Sequence, residues 1–306
     1  MKRLAGLTVV ECPYCYAQWA AKIRQGETVF RSSIRQCVHP QAADFYRSQK
    51  VYQKAGLPTE FLRINYSDWN QYPPHEGLTR AFAQAVRQGV EKGNGVLLAG
   101  GYCNYAPAVL GGMAQALGPE KRLGLVWMDA HADNRILEKQ NGPLRLVSVP
   151  MAVLAGQTMP EFRRQICGLE RPIDGRDILA SDIRIMDESC AQNLIDAGVR
   201  RLDASQFEQE EVWRQAVEAL AGQVDALYLS IDADILKPER IPGYEKAVPY
   251  GHDLETVARN IRIVMETGKV WAVSAFCFDF DKGGEADRQN RQSGLTLVSA
   301  ALESWV

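Results

Sequence analysis

The 306-residue chain carries a formal net charge of -2, with 46% hydrophobic and 24% charged residues. That balance gives no basis for nucleic acid or an anionic membrane as a partner, and no apolar run is long enough to span a bilayer. Seven cysteines, an odd number scattered along the chain, do not make a disulfide framework, so a reducing, cytoplasmic setting is expected.

Apolar runs alternate with amphipathic stretches from the first residues onward. Residues 6–11, GLTVVE, predict a strand and not the apolar core of a signal peptide, because Glu11 and Pro13 interrupt the run. CPYC at 12–15 is also the active-site tetrapeptide of glutaredoxins. It reads either as a redox pair, with one thiol at a helix N-terminus, or as two ordinary thiols in a strand-to-helix loop. Residues 35–78 carry little regular pattern and are expected to be loop-rich. A helix follows over 79–93, with Phe82, Ala85, Val86 and Val90 on one face, then a strand at 96–100 and a helix at 106–117. Further strands are predicted at 122–130, within 178–187, at 224–234 and at 270–280. Helices are predicted at 188–198 and at 253–268, the latter capped by Asp253. Strands apolar on both faces and alternating with helices imply an α/β three-layer αβα sandwich around a mostly parallel sheet. Neither an internal repeat nor a linker interrupts the chain, so residues 1–306 are expected to form a single domain.

Two of these strands end in side chains suited to metals. Residues 127–135 read WMDAHADNR, so Asp129, His131 and Asp133 alternate at the end of an apolar run. In extended chain, residues two apart point to one side. Residues 228–243 read YLSIDADILKPERIPG, and Asp232 and Asp234 repeat the alternation. Adjacent carboxylates repel unless a cation or a shared proton intervenes. Four aspartates and one imidazole suit a hard or borderline divalent ion such as manganese, at the sheet edge where α/β proteins bind ligands.

MDAHAD and SIDADILKPERIPG resemble two signature motifs of the ureohydrolase family, the arginases, agmatinases and formimidoylglutamases. A weaker match is SDIRIMDES, with Arg184, and GGYCNY at 100–105 falls where the family has a metal-binding histidine. The resemblance implies an arginase-type fold with an eight-stranded sheet, a trimer or hexamer, two manganese ions, and hydrolysis of a guanidino or formimino C–N bond by metal-activated hydroxide. It implies metal ligation by Asp129, His131, Asp133, Asp232 and Asp234, with Asp129 and Asp232 bridging and Asp133 also serving the hydroxide. Cys103 takes the sixth ligand position, Asp279 matches the carboxylate that holds the amidine group, and Asp187 is a positional candidate for a substrate amino group.

The departures cluster near the reaction. Besides Cys103, Val147 stands near a position where the family often has a histidine, and Lys237 stands where it has an aspartate. YEKAVPYGHD replaces a small loop rich in glycine and threonine, and within it His252 is a candidate substitute proton shuttle. Two alternatives stay open: a one-metal enzyme, and a catalytically silent homologue that binds a ligand or partner.

Overall fold

A computed structural model describes residues 4–22, 28–36, 42–244, 248–278 and 283–305, with backbone alone for 15–22 and 33–36. The strands are β1 (Leu7–Glu11), β2 (Tyr14–Lys22), β3 (Thr28–Gln36), β4 (Thr59–Arg63), β5 (Gly95–Ala99), β6 (Leu123–Met128), β7 (Leu144–Arg145), β8 (Ile178–Ser181), β9 (Arg200–Leu202), β10 (Ala226–Asp232) and β11 (Val270–Phe276). The helices are α1 (Ala42–Ser48), α2 (Pro74–Glu91), α3 (Ala106–Leu117), α4 (Pro150–Leu154), α5 (Glu188–Ala197), α6 (Ala204–Glu208), α7 (Glu210–Gln223), α8 (Leu254–Met265) and α9 (Gly284–Glu303).

Eight strands form one parallel sheet in the order β4-β1-β5-β11-β10-β6-β8-β9. Every residue of β5, β6 and β10 is buried, as their unbroken apolar sequences require of strands covered on both faces. Helices α2 and α3 pack on each other and reach β1, β5, β10 and β11, while α7, α8 and α9 form a second packed group against β6, β8 and β11. The α/β sandwich around an eight-stranded parallel sheet expected from the sequence is the observed architecture.

Connectivity decides where the ligands meet. The chain builds the sheet outward from β1 to β4, returns for β5, and runs out through β6 and β8 to β9. It then comes back to insert β10 and β11 between β6 and β5. The carboxyl ends of β5, β11, β10 and β6 therefore lie side by side at a reversal of strand order, the place where open α/β sheets bind ligands.

Three expectations need correction. Residues 35–78 are not mainly loop: they hold the end of β3, α1, the edge strand β4 and the start of α2. Both β2–β3 and β2–β7 pair antiparallel, making a three-stranded side sheet. CPYC therefore leads from β1 into β2, and no helix N-terminus follows it to activate a thiol as in a glutaredoxin-like arrangement. Asp253 does occupy the N-cap of α8, but its carboxylate takes Lys237 Nζ at 2.7 Å.

Candidate metal centre

The acidic motifs do not converge by strand alternation. Strand β6 stops at Met128 and β10 stops at Asp232, so turns finish the job. Asp129 Oδ1 accepts the backbone N–H of His131 at 2.6 Å, and Asp133 follows with a left-handed φ of 45°. After β10, Asp232 accepts the N–H of Asp234 at 3.2 Å within a 3-10 turn. A short carboxylate folded onto an amide two residues on is an Asx-type turn, which aspartate forms readily. Across the two loops, Asp234 Oδ1 accepts Ala130 N–H at 2.9 Å and Asp234 Oδ2 lies 2.7 Å from His131 Nδ1.

Beside them, β5 ends in two glycines with φ of 102° and 98°, a left-handed pair that only glycine adopts freely. They turn the chain into the 3-10 turn Cys103–Tyr105, where Tyr105 stacks on Phe82 at 3.9 Å. Cys103 Sγ is thereby held over the ends of β6 and β10. Its thiol donates to the Val147 carbonyl at 3.5 Å, at the position where a histidine was noted as absent.

Two triads of metal-capable atoms result, each with its members within 4.8 Å of one another: Cys103, Asp129 and Asp232, and Asp129, His131 and Asp234. Asp129 belongs to both. Asp133 lies outside both triads, on the wall of the same cavity, a space of about 790 Å³.

Charge in this space is badly matched. Burial, followed by the charges of Asp234 and Asp133, raises Asp129 well above the ordinary carboxylate range. Asp232 is raised for the same reasons, burial first, then Asp234 and Asp129. Desolvation pushes Asp133 up to about 7, with Asp232 and Asp234 adding to it and His131 and the Cys103 thiol opposing. Burial disfavours the charged form of His131, yet its hydrogen bonds to Asp129 and Asp234 carry it up to about 11. Burial likewise opposes ionisation of Asp234, but His131, the Ala130 amide and Tyr244 hold it below its usual value. Four carboxyl groups thus crowd one imidazolium, and Asp129 Oδ2 is buried without a hydrogen-bond partner among the described residues. Such a donor set fits divalent cations, which would neutralise the cluster and take up that oxygen.

Two side chains join the site without having been singled out in the sequence. Tyr244 Oη donates to Asp234 Oδ2 at 2.9 Å and reaches Asp232 Oδ1 at 3.4 Å. The Cys277 thiol, just beyond β11, lines the cavity together with Cys103 and Asp232. Tyr244 directly follows PERIPG, a phenol next to a ligand motif that could have been flagged. Cys277 gave no such signal.

Other candidates lie elsewhere. Asp187 caps α5, accepting Cys190 N–H at 2.9 Å, and pairs with Arg135 Nη2 at 2.7 Å. Those two bonds hold it down at about 2, so a substrate ammonium there would compete with Arg135. His252 is buried behind the site, 3.0 Å from both Asp182 and Glu208, and does not line the cavity. Asp279 falls outside the described residues.

The family model described as the arginase family matches residues 8–275. The chain is 27% identical over 164 residues to an arginase of Bacillus caldovelox, a match spanning 53% of each protein. It thus spans about half the length of that relative. It is 27% identical over 232 residues to a formimidoylglutamase of Citrobacter koseri, covering 74% of this chain and 68% of that one. Among solved structures, a Bacillus cereus arginase superposes with a TM-score of 0.78 at 17% identity, over 97% of this chain and 98% of that one. A Bacillus subtilis formimidoylglutamase gives 0.66 at 13% identity, over 99% and 88%.

Proposed function

The chain belongs to the arginase family, and from that premise we propose that it is a metal-dependent hydrolase cleaving a C–N bond of a guanidino, substituted-guanidino or formimino compound. The observation that carries the proposal is the pair of triads sharing Asp129 beneath one cavity. Divalent ions bound there, manganese in line with the oxygen-rich donors, would supply Lewis acidity and a lowered pKa for water. Cys103, Asp129, His131, Asp232 and Asp234 would hold them, with Asp133 bordering them as a ligand or a base.

The remaining chemistry belongs to the chain's own groups. Asp133, a carboxylate on the wall of the same cavity, is placed to accept a proton from water. Asp279, which follows β11 in the sequence, is assigned the cationic amidine by resemblance alone. Arg135 and Arg145 both line the cavity, together with Ser148. Arg135 is paired with Asp187, and the Arg145 guanidinium on the same cavity wall favours a substrate whose far end is a carboxylate over one ending in an amine. The proposed substrate is therefore a guanidino or formimino acid. A homo-oligomer, trimer or hexamer, is proposed as well. No helix among the described residues is long and apolar enough to cross a membrane.

Elemental analysis of the purified protein, followed by a urea- and ammonia-release screen, tests this reading. About two equivalents of divalent metal and turnover of guanidino or formimino acids above the corresponding amines are expected. Protein that takes up no metal even after incubation with manganese would overturn the hydrolase and favour the silent homologue.

A further inference from the structure

The two triads are chemically unlike. One offers an imidazole nitrogen and two carboxylates, and the other a sulfur and two carboxylates. Nitrogen with oxygen suits manganese, whereas a thiolate favours softer ions and forms strong bonds to zinc and cobalt(II). We propose that the two seats differ in metal preference: the Cys103 seat takes a thiophilic divalent ion of the zinc class, and the His131 seat takes a harder ion such as manganese. This rests on the reading of the site as a metal centre and narrows it.

Geometry supports a ligand role for the sulfur. Cys103 is 5% exposed and cannot drift from its seat, because the left-handed glycine pair before it and the stacked Tyr105 after it fix the turn. On metal binding the S–H bond breaks, an S–metal bond forms, and the proton passes to solvent.

Cys277 stands one step further out. Its backbone is left-handed at φ 63°, a conformation that disfavours a non-glycine residue, and its N–H donates to Gly101 O at 3.0 Å. That contact ties the Cys277 turn to the glycine pair that presents Cys103. The thiol lines the same cavity as Cys103 and Asp232, so its S–H is placed to donate to a metal-bound thiolate or carboxylate. Hydrogen bonds of this kind orient ligands and tune the ion they hold. Cys277 is therefore a positioning residue for the softer seat.

The test titrates metal-free, full-length protein with cobalt(II). Ligand-field bands in the visible report occupancy of either seat, and a near-ultraviolet thiolate-to-cobalt charge-transfer band reports the sulfur alone. Both are expected in the native protein. Cys103→Ser should abolish the charge-transfer band while ligand-field bands persist. Cys277→Ala should keep the band but weaken cobalt binding at that seat by about 10- to 100-fold. When the protein is loaded with one equivalent each of zinc and manganese, the zinc should sit on the sulfur, and Cys103→His should remove that preference between the seats.

Should the serine variant fail to fold, X-ray absorption of the zinc-loaded native protein decides the matter, with sulfur expected about 2.3 Å from zinc. Ligand-field bands without charge transfer, or zinc without sulfur, would overturn the softer seat and leave the metal centre intact. No cobalt uptake at all would overturn both.

Discussion

Two buried acid clusters sit near each other on this sheet edge, and they are built on opposite principles. Behind the cavity, Asp182 is 1% exposed and faces Arg184 Nη1 together with His252 Nε2 at 3.0 Å. Arg184 spends its other N–H groups on the carbonyls of Pro249 and Asp234, so it also pins the loop after β10. In front, Asp129, Asp133, Asp232 and Asp234 share a single imidazole. Each cluster leaves one buried carboxylate oxygen without a hydrogen bond, Asp129 Oδ2 and Asp182 Oδ1. An unpartnered oxygen therefore does not separate a ligand site from a structural one. Charge does: Asp182 is matched by Arg184, with His252 beside it, in a finished structural cluster, while four acids against one imidazole call for an ion.

The largest effect that tests this contrast comes from Asp232→Asn. Removing a proposed bridging carboxylate should strip metal and cut turnover by about a thousandfold or more, the equivalent of some 4 kcal/mol of transition-state stabilisation. The same change should raise the melting temperature of the metal-free protein, because it relieves repulsion with Asp129 and Asp234. A lower metal-free melting temperature would show that the acid is structural.

In the rear cluster the opposite is expected. Asp182→Asn removes the counter-charge of the half-buried Arg184 and the carboxylate that faces His252, and should cost about 3–5 kcal/mol of stability, read by denaturant unfolding. Metal content should survive in whatever protein remains folded. Loss of metal at full stability would mean that Asp182 belongs to the metal site instead.

Stability against pH gives a third, gentler test. Asp133 is raised from 3.8 to about 7, and Asp129 and Asp232 are raised as well. Between the unfolded and folded values, the folded metal-free protein holds protons that the unfolded chain has released. Its stability is thus fully present below about pH 4 and falls as pH rises towards 7, by roughly 1.4 kcal/mol per pH unit for each proton held. Asp234, held below its usual value, acts the other way only at more acidic pH. Bound divalent metal should remove or reverse the decline, since it binds the deprotonated form. Parallel melting curves with and without metal across this range would contradict the crowded-carboxylate account.

How much of this was readable beforehand differs between fold and site for physical reasons. Strands β5, β6, β10 and β11 announce themselves because burial on both faces demands unbroken apolar runs. The edge strand β4 and the hairpin β2–β3 do not. In β4, TEFLR, every residue stays partly exposed, and the hairpin sequences mix polar and apolar residues without a clean period. At the site, Asp129, His131, Asp232 and Asp234 were legible because their spacing is local to one strand end each. Their convergence through Asx turns, not strand alternation, was not. Cys277 was hidden in a different way. Its place in the cavity with Cys103 joins residues far apart in sequence and depends on a left-handed backbone at a residue type that does not advertise one.

The smallest expected effect concerns Tyr244, the other contributor that only the fold revealed. Its hydroxyl supplies the metal-free cluster with a neutral donor, on Asp234 at 2.9 Å and more weakly on Asp232 at 3.4 Å. Tyr244→Phe removes that donor and little else, because the ring is retained. A hydrogen bond to a charged acceptor is worth about 1.5–3 kcal/mol when its loss leaves the acceptor unpaired, and about 1 kcal/mol when another group takes over. In the metal-free protein His131 still holds Asp234 Oδ2 at 2.7 Å, so the second case applies, at about 1 kcal/mol. With metal bound, the ion itself satisfies the carboxylates, so the penalty should shrink further. Unfolding of the variant with and without metal should therefore show a larger loss in the metal-free form. Equal losses in both forms would place Tyr244 with Asp182, as part of the scaffold and not of the ion's surroundings.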